Sequence, residues 1–297
     1  MSQTCSPSTQ RRYGLARVCR MWELARSTVY RAQARRTAPA ERHEKRGPKT
    51  PWTDAELVEK IRAVLAASLF LGEGYRKVWA RLRWQEVRTS KARVLRLMRE
   101  ANLLAPTRVG HAHGPKAHDG TITTEQPDQM WGMDATSCLT RQEGTATVFV
   151  VVDHCASECI GLHAARPGTR FEAVEPLRQG VRAIFGSYAA GIAAGLQARH
   201  DHGSQYMSKY FQDDLKFLGI TPSPAFVREP EGNGVAERFI RTLKEQLLWV
   251  RTFETVEELR LALLDFKERY NRGWLCARHA HQTPTAVRAQ FPVDAAA

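Results

Sequence analysis

Three carboxylates stand out by position. Asp134 lies in QMWGMDATSCL, a strand-like run with almost no other charge. A lone aspartate there is expensive to bury unless it meets a cation or a metal. Asp201 lies in ARHDHGSQY, where a strand pattern ends and Gly203 and Ser204 begin a turn; carboxylates at strand ends of an α/β sheet occur where ligands bind. Glu237 lies in EPEGNGVAERFIRTLKEQLL, which opens as a loop and continues as an amphipathic helix. Val235, Phe239, Leu243 and Leu247 form its apolar stripe, and Asn233, Glu237, Arg241 and Lys244 share a second, polar face. Each acid alone has a plain explanation as a turn cap, a helix cap or solvated surface charge. Together, three carboxylates from separate elements suit one or two Mg²⁺ ions, with Mn²⁺ as a substitute, because hard cations want oxygen ligands. Two such ions can activate a nucleophile and stabilise the leaving oxygen of a phosphodiester. Lys244 and Arg241, with Asn233 on the same face, would then hold DNA phosphates beside the acids.

The elements that must position these groups follow a consistent pattern. TATVFVVV (145–152) is a continuous β-branched run, as in a strand buried on both faces. With strands over 130–139 and 158–164 it makes a three-strand meander. A helix over 171–185, a strand over 196–200, a helix over 208–218, a short strand over 220–224 and helices around Glu237 and over 255–270 follow. The expected class is a mixed α/β sheet flanked by helices.

Charge divides the chain. Residues 1–119 hold 25 Lys and Arg against 10 Asp and Glu, whereas the remainder holds 19 against 21, so the whole net charge of +13 comes from the front. A basic front end on a near-neutral body points to a polyanion, and nucleic acid is favoured because no membrane-surface helix or lipidation signal accompanies the charge. Within residues 1–45, Leu15, Val18, Cys19 and Trp22 form an apolar stripe, and Ser27 is placed to cap a second, arginine-rich helix: a helix-turn-helix pattern, or a generic basic hairpin. A second helical unit, 53–104, opens with a Thr53–Glu56 capping box, and Ser90 can cap its last helix. In that last helix Val94, Leu97, Met98 and Ala101 face inward, while Lys91, Arg93, Arg96 and Arg99 form a basic face suited to the DNA backbone. Residues 105–128 are a linker, in which His111, His113 and His118 are loop histidines with no completed metal set, and 129–292 is the body that carries the three acids. The six cysteines show no disulfide or zinc spacing and are expected reduced. With no signal-peptide pattern and no long apolar run, the expectation is a cytoplasmic protein without membrane contact.

The motifs QMWGMDAT, HDHGSQY and NGVAERFIRTLKEQ, with 35 residues between Asp201 and Glu237, resemble those of DDE transposases of the retroviral-integrase superfamily. The resemblance is strongest to the second-frame protein of IS3-family insertion sequences. Lys244, seven residues after Glu237, matches that family's basic DNA-contacting position. GYRKVWARLR and TSKARVLRLMREANLLAP resemble the family's helix-turn-helix segment, and RYNRGWLCARHAHQTP its closing segment. The resemblance implies an RNase H-like catalytic domain behind helical DNA-binding units, and a Mg²⁺-dependent enzyme cleaving and joining DNA at element ends. Asp134, Asp201 and Glu237 would be its catalytic metal ligands. It also implies a homo-oligomer on DNA, association with the nucleoid, and an upstream-frame partner or fusion. Two departures stand out: Arg238 where the family commonly has serine, and a looser tail. Asp153, at the end of VFVVVD, is a candidate supporting residue behind the ligands. The rival from another class is a catalytically silent DNA-binding regulator, which predicts decay of the carboxylates; a nuclease that cuts without joining is the second.

Overall fold

The computed structural model describes residues 3–37, 50–106, 122, 124–225 and 230–291. His111, His113 and His118 lie outside them. The chain divides into two compact units, Met1–Pro51 and Trp52–Ala297.

In the first unit, α1 (Leu15–Met21) and α2 (Arg26–Thr37) form a small pair. Cys19 is buried as its stripe predicts, but Trp22, Met21, Leu24 and Tyr30 stay exposed. Two short helices enclose too little volume to cover an indole, so the expected stripe is only partly a core. Ser27 lies inside α2 instead of capping it.

The second unit opens with three helices, α3 (Asp54–Ala66), α4 (Tyr75–Trp84) and α5 (Lys91–Glu100). The capping box forms: Thr53 Oγ1 accepts from the Glu56 N–H at 3.3 Å while Glu56 Oε2 accepts from the Thr53 N–H at 2.8 Å. Ser90 caps α5 through the Arg93 N–H. Leu57, Ile61, Val64, Val78, Leu82, Val94, Leu97 and Met98 close the bundle core.

Strands β1 (Met130–Thr140), β2 (Gly144–Asp153), β3 (Cys159–Ala165), β4 (Gln197–His200) and β5 (Thr221–Pro224) build one sheet in the order β3-β2-β1-β4-β5. β2 runs antiparallel to both neighbours, whereas β1, β4 and β5 are mutually parallel. A meander that crosses over to extend the sheet on its other side is the RNase H-like arrangement, and the mixed α/β expectation holds. β2 is buried throughout its second half because both faces are covered. One face takes α6 (Arg170–Phe185) and α7 (Lys209–Leu218), packing Val174, Leu177, Phe211 and Leu215 on Trp131, Met133 and Phe149. The other takes α8 (Gly234–Leu243) and α9 (Val256–Gly273), packing Phe239, Leu243, Leu263 and Phe266 on Val148, Val150 and Val152. Gly161 lets α6 approach: a Cβ there would lie 2.0 Å from the Pro176 carbonyl oxygen. The closing helix α10 (Pro284–Arg288) was not legible from periodicity, being a single turn. Its Arg288 grips Asp128 with two hydrogen bonds, at 2.6 and 3.0 Å, and also binds Glu158.

Candidate active site

Strand pairing brings the two aspartates together. β1 and β4 run parallel with Gly132 opposite Arg199; Asp134 stands two residues further along β1, and Asp201 just past the end of β4, two residues beyond Arg199. Asp134 pairs across β1–β2 with Val150, so its side chain belongs to the sheet face on which α8 packs. Glu237 lies in the first turn of α8, exposed at the edge of that contact.

The electrostatics report the same grouping. Asp134 is half-buried and its carboxyl is pushed up to about 6, first by loss of water and then by the negative charges of Asp201 and Glu237. The Ala135 N–H, donating at 2.7 Å, and the Lys244 ammonium oppose that shift. Partial burial also raises the Glu237 carboxyl. Asp201 accepts from the Gly203 N–H at 2.9 Å, which shapes the turn after β4. Among the described residues no three acidic, histidine or cysteine side chains draw together tightly enough to enclose a metal. The carboxylates thus share a field without closing into a cage, and an added cation would have to draw them in.

Behind the acids lie buried polar groups that composition did not single out. Tyr206 is fully buried, its hydroxyl has no partner among the described residues, and burial together with the charges of Asp134 and Asp201 raises it well above the ordinary phenol range. It stacks on His200, whose Nδ1 lies 2.7 Å from the Asp201 carbonyl oxygen and whose burial lowers it toward the neutral form.

Asn233 is placed differently from the expected DNA contact. It is buried at the N-terminus of α8, and its Nδ2 donates to the Met133 carbonyl at 2.8 Å, one residue before Asp134. Its amide is occupied with fixing the helix to β1, so its side chain is not free for a phosphate. Gly132 leaves room for this: a Cβ there would lie 2.7 Å from both Asn233 Oδ1 and His154 Nε2. Lys244 is half-buried, and its charge acts on Asp134. Arg241 points outward and pairs with Glu245 at 3.0 Å. Arg238 is exposed and its charge acts on Cys276, away from Asp134. Asp153 does not stand behind the ligands. It pairs with Trp131, three residues from Asp134 and therefore on the opposite sheet face, and accepts from the Asp128 and Ala156 N–H groups at 2.8 and 2.6 Å.

On α5 the basic face is partly spoken for. Arg93 and Arg96 both bind Asp54 at 2.7 Å, Arg96 also binds Glu100, and the Lys91 ammonium lies over the Trp79 ring at 4.4 Å. Arg99 is exposed. The two paired arginines fasten α5 to the start of α3, a use that helical periodicity does not disclose because Asp54 comes from another element.

Comparison with known proteins matches residues 52–111 to an HTH-like domain and residues 124–230 and 218–274 to integrase core domain models. The chain carries an integrase core. Asp134, Asp201 and Glu237 all fall within the matched core segments. The chain is also homologous to transposases InsD of insertion element IS2 from Escherichia coli, with 29% identity over 182 residues. That match covers 59% of this chain and 60% of the relatives, so the chain spans about three-fifths of their length. Among solved structures, the catalytic core domain of BIV integrase is similar over 55% of this chain and 95% of its own, at 20% identity and a TM-score of 0.40. The HTLV-2 integrase core in complex with magnesium is similar over 55% of this chain and 98% of its own, at 16% identity and a TM-score of 0.41. The fold itself is carried by the strand order β3-β2-β1-β4-β5. No helix among the described residues is long and apolar enough to cross a membrane.

Proposed function

We propose that this protein is a DNA transposase that cleaves and joins phosphodiester bonds at the ends of an insertion sequence. The observation that carries the proposal is the acidic group at the end of the parallel strands: Asp134 is pushed toward neutrality by burial first and then by the charges of Asp201 and Glu237, with Lys244 opposing. Oxygen-only donors short of positive charge fit Mg²⁺ or Mn²⁺, and Asp134, Asp201 and Glu237 would hold the ions. A divalent pair supplies activation of the attacking oxygen and stabilisation of the leaving one. The chain's own residues do the rest. Lys244 binds the DNA phosphate next to the scissile bond, Asn233 keeps Glu237 aligned with β1, and Tyr206 offers a buried hydroxyl donor to the Asp134–Asp201 side. Cleavage frees a 3′-OH, which attacks a second phosphodiester; no serine or tyrosine need form a covalent link to DNA.

In this proposal residues 1–45 and 53–104 bind DNA, 105–128 link them to the catalytic body over 129–292, and Lys91 and Arg99 supply backbone contacts. The protein works in the bacterial cytoplasm on the nucleoid, as an oligomer holding two ends, with the product of an upstream frame as partner or fusion. The test is a joining assay with paired element ends and Mg²⁺. Glu237→Gln is expected to abolish joining and leave end binding within about twofold, since one ligand is lost while the basic front is untouched. Retained Mg²⁺-dependent joining would defeat the assignment, and binding without cleavage by the native chain would favour the regulator.

A further inference from the structure

The helix that carries Glu237 does not end where its α-helical hydrogen bonding ends. After Leu243 it continues through one π turn, Lys244–Leu248, before the chain breaks away. A π turn inserts a residue and re-aims the side chains beyond it, and such turns gather at functional positions. Gln246 lies in this turn, two residues beyond Lys244. Its amide makes a two-bond pair with the backbone of Leu71: the Leu71 N–H donates to Oε1 at 2.8 Å, and Nε2 donates to the Leu71 carbonyl at 3.0 Å.

Leu71 belongs to the loop joining α3 to α4 of the HTH-like bundle, and the rest of that loop is fastened to the core as well. Phe70 is buried and meets Trp274 edge-on at 5.0 Å. Lys77, at the start of α4, places its ammonium 2.8 Å from the centre of the same indole. Arg81 binds the buried Glu73 through two hydrogen bonds and extends its other contact to the Gly273 carbonyl at 3.1 Å. Apolar burial alone would let such a loop slide; a paired amide on a backbone N–H and C=O fixes one register.

We propose that the loop over 69–73 is a positioning strap, and that Gln246 is the residue through which the HTH-like bundle sets the orientation of the catalytic helix. Helix α8 is pinned at both ends. Asn233 ties its start to β1 beside Asp134, and Gln246 ties its extension to the bundle, with Glu237 and Lys244 between the two pins. DNA bound on the bundle is therefore delivered to the carboxylates at a fixed offset. The inference rests on the transposase proposal for its DNA substrate, and on the Gln246–Leu71 pair for its mechanism.

The test compares the full chain with Gln246→Leu, which keeps the volume and removes both bonds, and Gln246→Glu, which keeps only the acceptor for the Leu71 N–H. The readouts are hydrogen exchange of the 69–73 segment, the footprint and affinity of element-end DNA, kcat, and the cleavage positions mapped at nucleotide resolution. In Gln246→Leu, exchange at 69–73 should rise, and the footprint should shrink from bundle plus core to bundle alone. End affinity should stay within about threefold, while kcat falls about tenfold or more and cuts spread to neighbouring phosphodiesters, because misplacement by about an ångström is that costly. Gln246→Glu should fall between the two. An unchanged footprint and a single cleavage position in Gln246→Leu would overturn the strap, as would unchanged exchange at 69–73. If the native chain cleaves no element end, the catalytic proposal fails, and the footprint and exchange still decide the strap.

Discussion

Glu73 and Arg81 form a deeply buried ion pair where the bundle meets the core. The Glu73 side chain is 1% exposed and that of Arg81 18%. Glu73 accepts from Arg81 at 2.6 and 2.8 Å and from the Ser68 hydroxyl at 2.8 Å. Arg81→Met would leave that carboxylate with only the serine, an uncompensated buried charge costing about 3–5 kcal/mol. Glu73→Leu would leave a guanidinium that keeps the Gly273 carbonyl and some solvent, so about 2–3 kcal/mol is expected after discounting the exposure. The double variant leaves neither charge and packs similar volume, so it should lie within about 1.5 kcal/mol of the native chain. Independent effects would sum to about 5–8 kcal/mol, so a coupling of about 3.5 kcal/mol or more is predicted. Urea unfolding followed by tryptophan fluorescence measures it, the midpoints being compared at a common m-value. A double variant as unstable as the sum of the singles would refute the burial argument, and show that each side chain acts through its own packing.

The other predictions concern the carboxylate site. Asp134 titrates higher in the folded chain, about 6 against an ordinary 3.8, so the fold binds the extra proton and loses stability as pH rises from about 4 to about 6. Asp134→Asn should therefore stabilise the metal-free protein by about 1–2 kcal/mol at pH 7, after allowing for partial solvent access, and by almost nothing at pH 4; denaturant midpoints at the two pH values check this. Mg²⁺ should raise the Tm of the native chain and leave that of Asp134→Asn unmoved, because only the native acids gain a cation. Gly132→Ala should drive a methyl into Asn233 and His154, loosen the start of α8, and lower the joining rate about tenfold or more with a smaller effect on end affinity; equal joining rates would show that the Asn233 pin is dispensable.

Much of this arrangement could be read directly from the chain. Period-two and period-3.6 patterns placed the strands and the long helices within three residues at each end, the largest miss being the C-terminus of α9 at Gly273, because burying one face is a local demand that repeats along an element. The Thr53–Glu56 box and the Ser90 cap were legible for the same reason: donor and acceptor are three residues apart. Asp134 was conspicuous as a charge inside an apolar strand. What the sequence could not decide was every relation between distant segments. Asn233 and Lys244 look alike on a helical wheel, yet the first is buried with its amide on the Met133 carbonyl, while the second is half-buried and its charge acts on Asp134. Arg93 and Arg96 look like DNA contacts until Asp54 arrives from α3. Asp153 ends its strand as conspicuously as Asp134 sits in its own, but strand register puts it on the other face. The identity of the three acids was thus a property of the sequence. Their shared field, the two pins on the Glu237 helix and the strap at Leu71 come from tertiary structure alone, because they depend on which surfaces meet across 100 and 175 residues of chain.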